Sequence, residues 1–337
     1  MTADNGKTRG KPMDRRAFLT GSAAVGLGIG AYAPARGQSF PSNVIHIVVP
    51  YSVSTPPDIV ARIVANALSE GEGWKIVVEN KPGAVMTLAT FDVLKQPADG
   101  YRLLSITSPI AAVPALMPDA SFKIETDFMP VIHAATGYNV LVVNPQVPAN
   151  SVSELIAYLK KEPGKHTFSS GGFGTPAHLL GESFKLEAGV QATHVPYAQF
   201  TQAISDLVGG VNTYQFITVL PVVQLINTGK LRALAVMGSK RIPVLKDVPT
   251  IVEAGHPSLV AEDWAGILVK SGTPPDVVAR LNAAVNKALQ TEKVRVALTG
   301  LGADVVGGTP EQFGALLSTE TVRWAKVIKE ANIKINP

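Results

Sequence analysis

The chain has 337 residues, with 30 Lys and Arg against 26 Asp and Glu, and no cysteine. That excludes a disulfide, a thiolate metal site and a cysteine nucleophile, while the length supplies a core large enough to do without cross-links. The six histidines show no H-E-x-x-H or other close ligand spacing, so no metal and no cofactor is expected.

Residues 1–35 read as an export signal. Arg15-Arg16-Ala17-Phe18-Leu19 is a twin-arginine core, the stretch from Ala17 to Pro34 is uncharged and rich in Ala, Gly and Leu, and Ala33-Pro34-Ala35 offers the small residues a signal peptidase requires. The stretch is too short for a stable anchor, which places the mature protein, from about Arg36, in the periplasm. Without the leader, 25 basic and 24 acidic side chains remain, a net of +1. A basic face for nucleic acid is therefore not expected.

The first unit alternates short β-branched runs with helical periods. Strands are predicted at 45–50, 75–79 and 101–107, and helices at 58–70 and 87–95, the first with apolar residues at 59, 60, 63, 64, 67 and 68 on one face. This is a doubly wound α/β opening. A second unit of like grammar runs through strand 140–143, helix 152–160, strand 167–169, helix 176–188, strand 192–194, helix 201–209 and strand 231–236. From Trp264 the pattern changes to an apolar run, 265–269, followed by helices 275–290, 293–300 and 310–329, read as returning to complete the first unit. Expected is an α/β fold of two lobes, 36–138 with 263–337 and 139–262, each a doubly wound sheet flanked by helices, with a ligand cleft between them.

Two segments are built alike: Ser54-Thr55-Pro56-Pro57-Asp58 and Gly174-Thr175-Pro176-Ala177-His178. In each, Thr can cap a helix and Pro takes the first helical position, leaving free N–H groups and a positive dipole end for an anion. Thr273-Pro274 and Thr309-Pro310 repeat the cap in the tail, so position after a strand is what distinguishes the first two. Ser169-Ser170-Gly171-Gly172-Phe173-Gly174 adds hydroxyls and a backbone able to approach a ligand closely. Gly172-x-Gly174 lacks the rest of a dinucleotide fingerprint, and no G-x-S-x-G elbow is present. His178 and Tyr197 are further candidates for contact with a ligand. Trp264 and Trp324 are read as core or hinge residues.

The motifs Val48-Val49-Pro50-Tyr51, Val78-Glu79-Asn80-Lys81-Pro82-Gly83, Ala98-Asp99-Gly100-Tyr101, the Ser169 to Leu179 loop, His194-Val195-Pro196-Tyr197 and Gly307-Gly308-Thr309-Pro310-Glu311 occur in this order along the mature chain. The whole resembles the Bug family, the substrate-binding components of tripartite tricarboxylate transporters. The resemblance implies a type II-like periplasmic binding protein, expected to be a monomer, that closes on a small carboxylate and delivers it to a membrane permease. It implies contacts from Tyr51, Ser52, Ser54, Thr55 and Asp58 on one side, Thr107 and Ser108 beside them, and Ser169, Ser170, Gly171, Gly174, Thr175, His178 and Tyr197 on the other. Where relatives read Pro-Ala-Gly-Gly, this chain has Ser52-Val53-Ser54-Thr55, and Gly-Ala-Gly-Gly-Asn becomes Gly83-Ala84-Val85-Met86-Thr87. A usual acid is Thr213, counted with the expected ligand contacts, and Met-Phe-Asp becomes Gln215-Phe216-Ile217. With Val53, Val85, Met86 and Ile217 in place, the expected ligand has one carboxylate and an apolar or aromatic body. The alternatives are a sensory or docking protein of the same fold and, furthest down, an exported enzyme using His178.

Overall fold

The computed structural model describes residues 1–2, 40–83 and 86–334. The export segment and Val85 therefore lie outside the described residues.

The first part runs β1 (Ile45–Val49), α1 (Pro56–Glu72), β2 (Ile76–Asn80), α2 (Thr87–Leu94), β3 (Arg102–Thr107), α3 (Val113–Leu116) and α4 (Ile124–Asp127). Then comes β4 (Phe128–Val143), which leads into α5 (Val152–Lys161), β5 (Thr167–Ser170), α6 (Pro176–Ala188), β6 (Thr193–Pro196), α7 (Phe200–Val208), β7 (Tyr214–Thr218), α8 (Val223–Asn227) and β8 (Arg232–Val236). The chain closes with β9 (Glu262–Lys270), α9 (Pro275–Leu289), α10 (Glu292–Gly300), β10 (Asp304–Val305) and α11 (Pro310–Glu330).

Local chemistry sets these elements. In α1, Ala61, Val64, Ala65 and Leu68 recur at helical spacing and are buried. The helix stops at Gly73, whose φ of 69° lets its N–H reach Ser69 O. In α11, Thr309 and Gln312 form a reciprocal capping box. Thr273 behaves differently from the expected cap: Pro274 holds the N-cap position of α9, and the Thr273 hydroxyl donates to Lys270 O at 2.7 Å.

β1 pairs in parallel with β2 and β3, and β9 lies antiparallel to β3. The 16-residue β4 is the central feature. It runs antiparallel to β9 as far as Tyr138↔Glu262, and from Asn139↔Thr218 onward it is antiparallel to β7 and β8. Only its end, 140–143, is apparent as a strand from sequence, because Pro130, His133 and Thr136 interrupt the apolar pattern of the rest. In the second sheet β5 lies parallel to both β6 and β7. One core lies under α1 and α9, built on Ile45, Ile47, Val49 and Leu281. The opposite face carries Val48, Leu104, Trp264 and Phe313 beneath α11 and continues into Phe168, Phe184 and Tyr214. Trp264 and Trp324 are both core residues, 2% and 3% exposed.

Candidate functional site: two strand-to-helix loops and the cavity between the sheets

Leaving β1, the chain crosses Ser52, Val53 and Ser54, all exposed, before entering α1 at Pro56. Ser54 has φ 66°, a left-handed backbone that costs a side-chain-bearing residue energy. Its N–H donates to Asp58 Oδ2 at 2.9 Å, and the Thr55 hydroxyl donates to Ser52 O at 2.7 Å. Asp58 also receives Arg62 Nε at 3.0 Å and Asn80 Nδ2 at 2.8 Å, and is 1% exposed. Burial pushes its carboxyl up, and Arg62, Asn80 and the Ser54 N–H outweigh that, leaving it below the ordinary carboxylate range. Asp58 thus stabilises the loop from within, and its oxygens are occupied.

At the end of β3, the Tyr51 hydroxyl bonds Thr107 Oγ1 and also meets Met86 Sδ at 3.3 Å. Burial raises the Tyr51 phenol well above its ordinary range. Next along, Ser108 Oγ donates to Asp263 Oδ1 on β9 at 2.7 Å. Burial pushes the Asp263 carboxyl up, against the Ser108 hydroxyl and N–H. Thr107 and Asp263 line a small cavity of about 60 Å³ with Pro56, Pro57 and Val60 of α1, Gly137 and Tyr138 of β4, and Thr218, Val219 and Leu220 beyond β7. It sits where β4 changes partners.

Beyond β5, Ser170 Oγ accepts from Gly172 N at 3.1 Å and shares a 2.6 Å bond with His194 Nε2. Thr175 caps α6 by accepting from His178 N at 3.4 Å, and its hydroxyl donates to Gly172 O at 2.7 Å. Gly174 N donates to His178 Nδ1 at 3.1 Å, so the neutral ring carries its proton on Nε2. His178 stacks on His194 at 4.2 Å between ring centroids. Burial, with His194 and Lys185 nearby, pushes His178 down to about 3; burial and Lys185 push His194 down to about 4. Both imidazoles are therefore neutral at pH 7. Phe173 stands edge-on to both rings and is 45% exposed.

Tyr51, Thr107 and Ser108 are brought together with Asp263. Ser169, Ser170, Gly171, Gly174, Thr175 and His178 share one loop and its supporting helix turn. Ser169 is fully buried with its hydroxyl unpartnered, next to Gln215, whose amide is also buried and unpartnered. Tyr197 directs its hydroxyl to Asp206 Oδ2 at 2.7 Å and receives Asn212 Nδ2 at 2.8 Å, inside its own sheet's flank. Thr213 precedes β7 and pairs with Thr167, at the end of the sheet opposite the 171–175 loop. Ile217 packs in the core with Val140 and Leu207. Asp263 and His194 were missed as site residues. The acidic pair Glu262-Asp263 entering an apolar run is a visible sign of the first, and the His194-Val195-Pro196-Tyr197 motif is a sign of the second. Among the described residues no group of three or more His, Asp or Glu is placed to hold a metal.

Residues 60–333 match the family described as tripartite tricarboxylate transporter family receptor. The chain belongs to that family. Its relatives include protein BugT of Bordetella pertussis, 35% identical over 308 residues, covering 91% of this chain and 94% of BugT. An adipate-bound protein of R. palustris is 34% identical with a TM-score of 0.79, over 88% of this chain and 99% of that one. MatC from Rhodopseudomonas palustris with bound malate is 32% identical with a TM-score of 0.76, over 86% and 100%. This receptor family is periplasmic and its members are solute-binding proteins, with the two-lobed periplasmic-binding-protein fold found here.

Proposed function

We propose that this receptor captures a small organic carboxylate with an apolar or aromatic body in the periplasm and delivers it, as a monomer, to a membrane permease of the tripartite type. The observation that carries this is the place of the two Thr-Pro loops and the cavity: all lie beyond the carboxyl ends of parallel strands, where α/β folds hold ligands. Solved relatives hold malate and adipate, which supports a carboxylate. The apolar body is supported by Pro56, Pro57, Val60, Val219 and Leu220 in the cavity, and by the exposed Val53 and Phe173 on the two loops, with Phe200 close to Gly171. Ser52, Ser54, Thr55, Ser170, Gly171, Gly174 and Thr175 are the proposed carboxylate contacts, and Tyr51, Thr107 and Ser108 the wall.

A cavity of about 60 Å³ is far below the roughly 300 Å³ at which ligand pockets begin, so entry requires the lobes to part. The proposed lobes are 40–138 with 263–334 and 139–262, hinged where Tyr138 and Asn139 exchange partners. A thermal-shift screen of the mature chain against aliphatic and aromatic mono- and dicarboxylates tests the reading, since a ligand selective for the folded state raises Tm. A clear rise with a carboxylate is expected; no rise across the panel shifts the function to docking or sensing.

A further inference from the structure

Among the residues that line the cavity, Asp263 is the one with a charged side chain, and its charge is negative. That is the wrong sign for a cleft that gathers anions. The carboxylate is held by a single residue, Ser108, through its hydroxyl at 2.7 Å and its amide. A carboxylate has about four lone-pair positions, so acceptor capacity remains on the cavity side. Among the described residues no ion pair is recorded for Asp263. Lys240, beside Tyr138 on the same rim, is already bound to Asp304 at 2.8 Å, and Tyr138 donates to that same carboxylate at 2.5 Å. Glu262, the preceding residue, adds a further acid and is bonded by Ser239 Oγ at 3.2 Å. On the other wall, the Tyr51 hydroxyl is already bonded to Thr107 and feels the Asp263 charge.

Asp263 is half-buried, and a carboxylate partly withdrawn from water costs free energy until a cation or a set of donors meets it. Most of the remaining wall is apolar, with Pro56, Pro57, Val60, Val219 and Leu220; of its hydroxyls, that of Tyr138 is given to Asp304 and that of Thr107 is bonded to Tyr51, so Thr218 adds one neutral hydroxyl and no cation. A plain mono- or dicarboxylate would bring a second anion or a bare hydrocarbon to this point. We infer that Asp263 is the counter-charge for a protonated nitrogen on the ligand, so that the ligand class is an amino-substituted carboxylate with an apolar body. Its carboxylate would lie at the Thr-Pro loops and its ammonium group at Asp263, with the hydrocarbon between. This inference rests on the carboxylate-receptor reading above and narrows it.

The test is calorimetric titration of the mature chain at pH 7.4 with matched compounds: phenylalanine and 4-(aminomethyl)benzoate, their amine-free partners 3-phenylpropanoate and 4-methylbenzoate, and terephthalate as the matched diacid. Expected is tighter binding of at least one amine compound than of its amine-free partner, by about thirtyfold or more, and loss of that margin in Asp263→Asn. Equal or tighter binding of the amine-free acids, or of terephthalate, would overturn the inference and leave the carboxylate reading standing. An amine preference that survives in folded Asp263→Asn would also overturn it. Binding by none of the five would remove the carboxylate reading and the inference together. If Asp263→Asn does not fold, the ranking on the unaltered protein decides alone.

Discussion

The β1–α1 loop and the β5–α6 loop solve one backbone problem with opposite chemistry. In each, the residue before the Thr cap adopts a left-handed backbone, Ser54 at φ 66° and Gly174 at φ 75°. In each, that residue's N–H donates to the side chain four positions on, to Asp58 Oδ2 or to His178 Nδ1. The first loop is thus fastened by a buried carboxylate tied to Arg62 and Asn80, and it carries a serine in a conformation suited to glycine. The second is fastened by a neutral imidazole and retains the glycine. Charge secures one loop at the expense of strain, while conformational freedom secures the other. Two similar motifs therefore should fail under different conditions.

Removing the charged lock should have the largest effect. Asp58→Ala removes the buried acceptor of Arg62, Asn80 and the Ser54 N–H, and should cost about 2–3 kcal/mol in urea unfolding, since Arg62 is exposed enough to be solvated; a loss under about 1 kcal/mol would mean the first loop is held by its Thr-Pro turn instead. Acid should separate the loops next. His178 and His194 stay neutral in the folded chain to about pH 3 and 4, whereas in the unfolded chain they take up protons near the ordinary value of 6.5. Between those limits the unfolded state binds more protons, so stability falls as pH falls, by about 1.4 kcal/mol per pH unit for each ring. His178→Asn should flatten that slope between pH 6 and pH 4. Asp58, lowered from 3.8, acts in the same direction but at lower pH, its contribution present above the unfolded value and lost as pH falls below it. An unchanged slope in His178→Asn would sink the account.

The glycine comparison predicts smaller changes of opposite sign. Gly174→Ala forces a side chain into the left-handed region and should cost roughly 1–2 kcal/mol by thermal or urea unfolding. Ser54→Gly should gain roughly 0.5 kcal/mol, since relief of strain is partly offset by the greater freedom of the unfolded chain. If both substitutions destabilise, the strain assigned to Ser54 is absent. Smallest is the cap difference. Thr175→Ala should cost about 1 kcal/mol, and Thr55→Ala less, because only Thr175 receives a helix N–H on its side chain.

Helical segments were readable because their apolar spacing is local: 176–188 was expected and Pro176–Ala188 is observed. The β7 strand was not, since Tyr214 and Gln215 break the apolar run and both are buried by neighbours distant in sequence. The two Thr-Pro loops were legible as a pair from composition alone, but the i to i+4 bond that makes them equivalent required coordinates. Asp263 stands out in sequence only as one of an acidic pair entering an apolar run; its place in the cavity wall depends on β9 lying beside β3. Ser108 and Asp263 are 155 positions apart, a proximity no local pattern encodes.

The shared strand β4 also bears on how such receptors diversify. Because one unbroken strand of 16 residues is edge-bonded to β9 through Tyr138 and to β7 and β8 from Asn139, a recombination event cannot exchange one half cleanly at a loop. A crossover within β4 would have to preserve two sets of ladder partners at once. Shuffling among relatives should therefore favour breakpoints in the connections after Val143 and before Glu262, leaving the spanning strand to be inherited whole with its β9 partner.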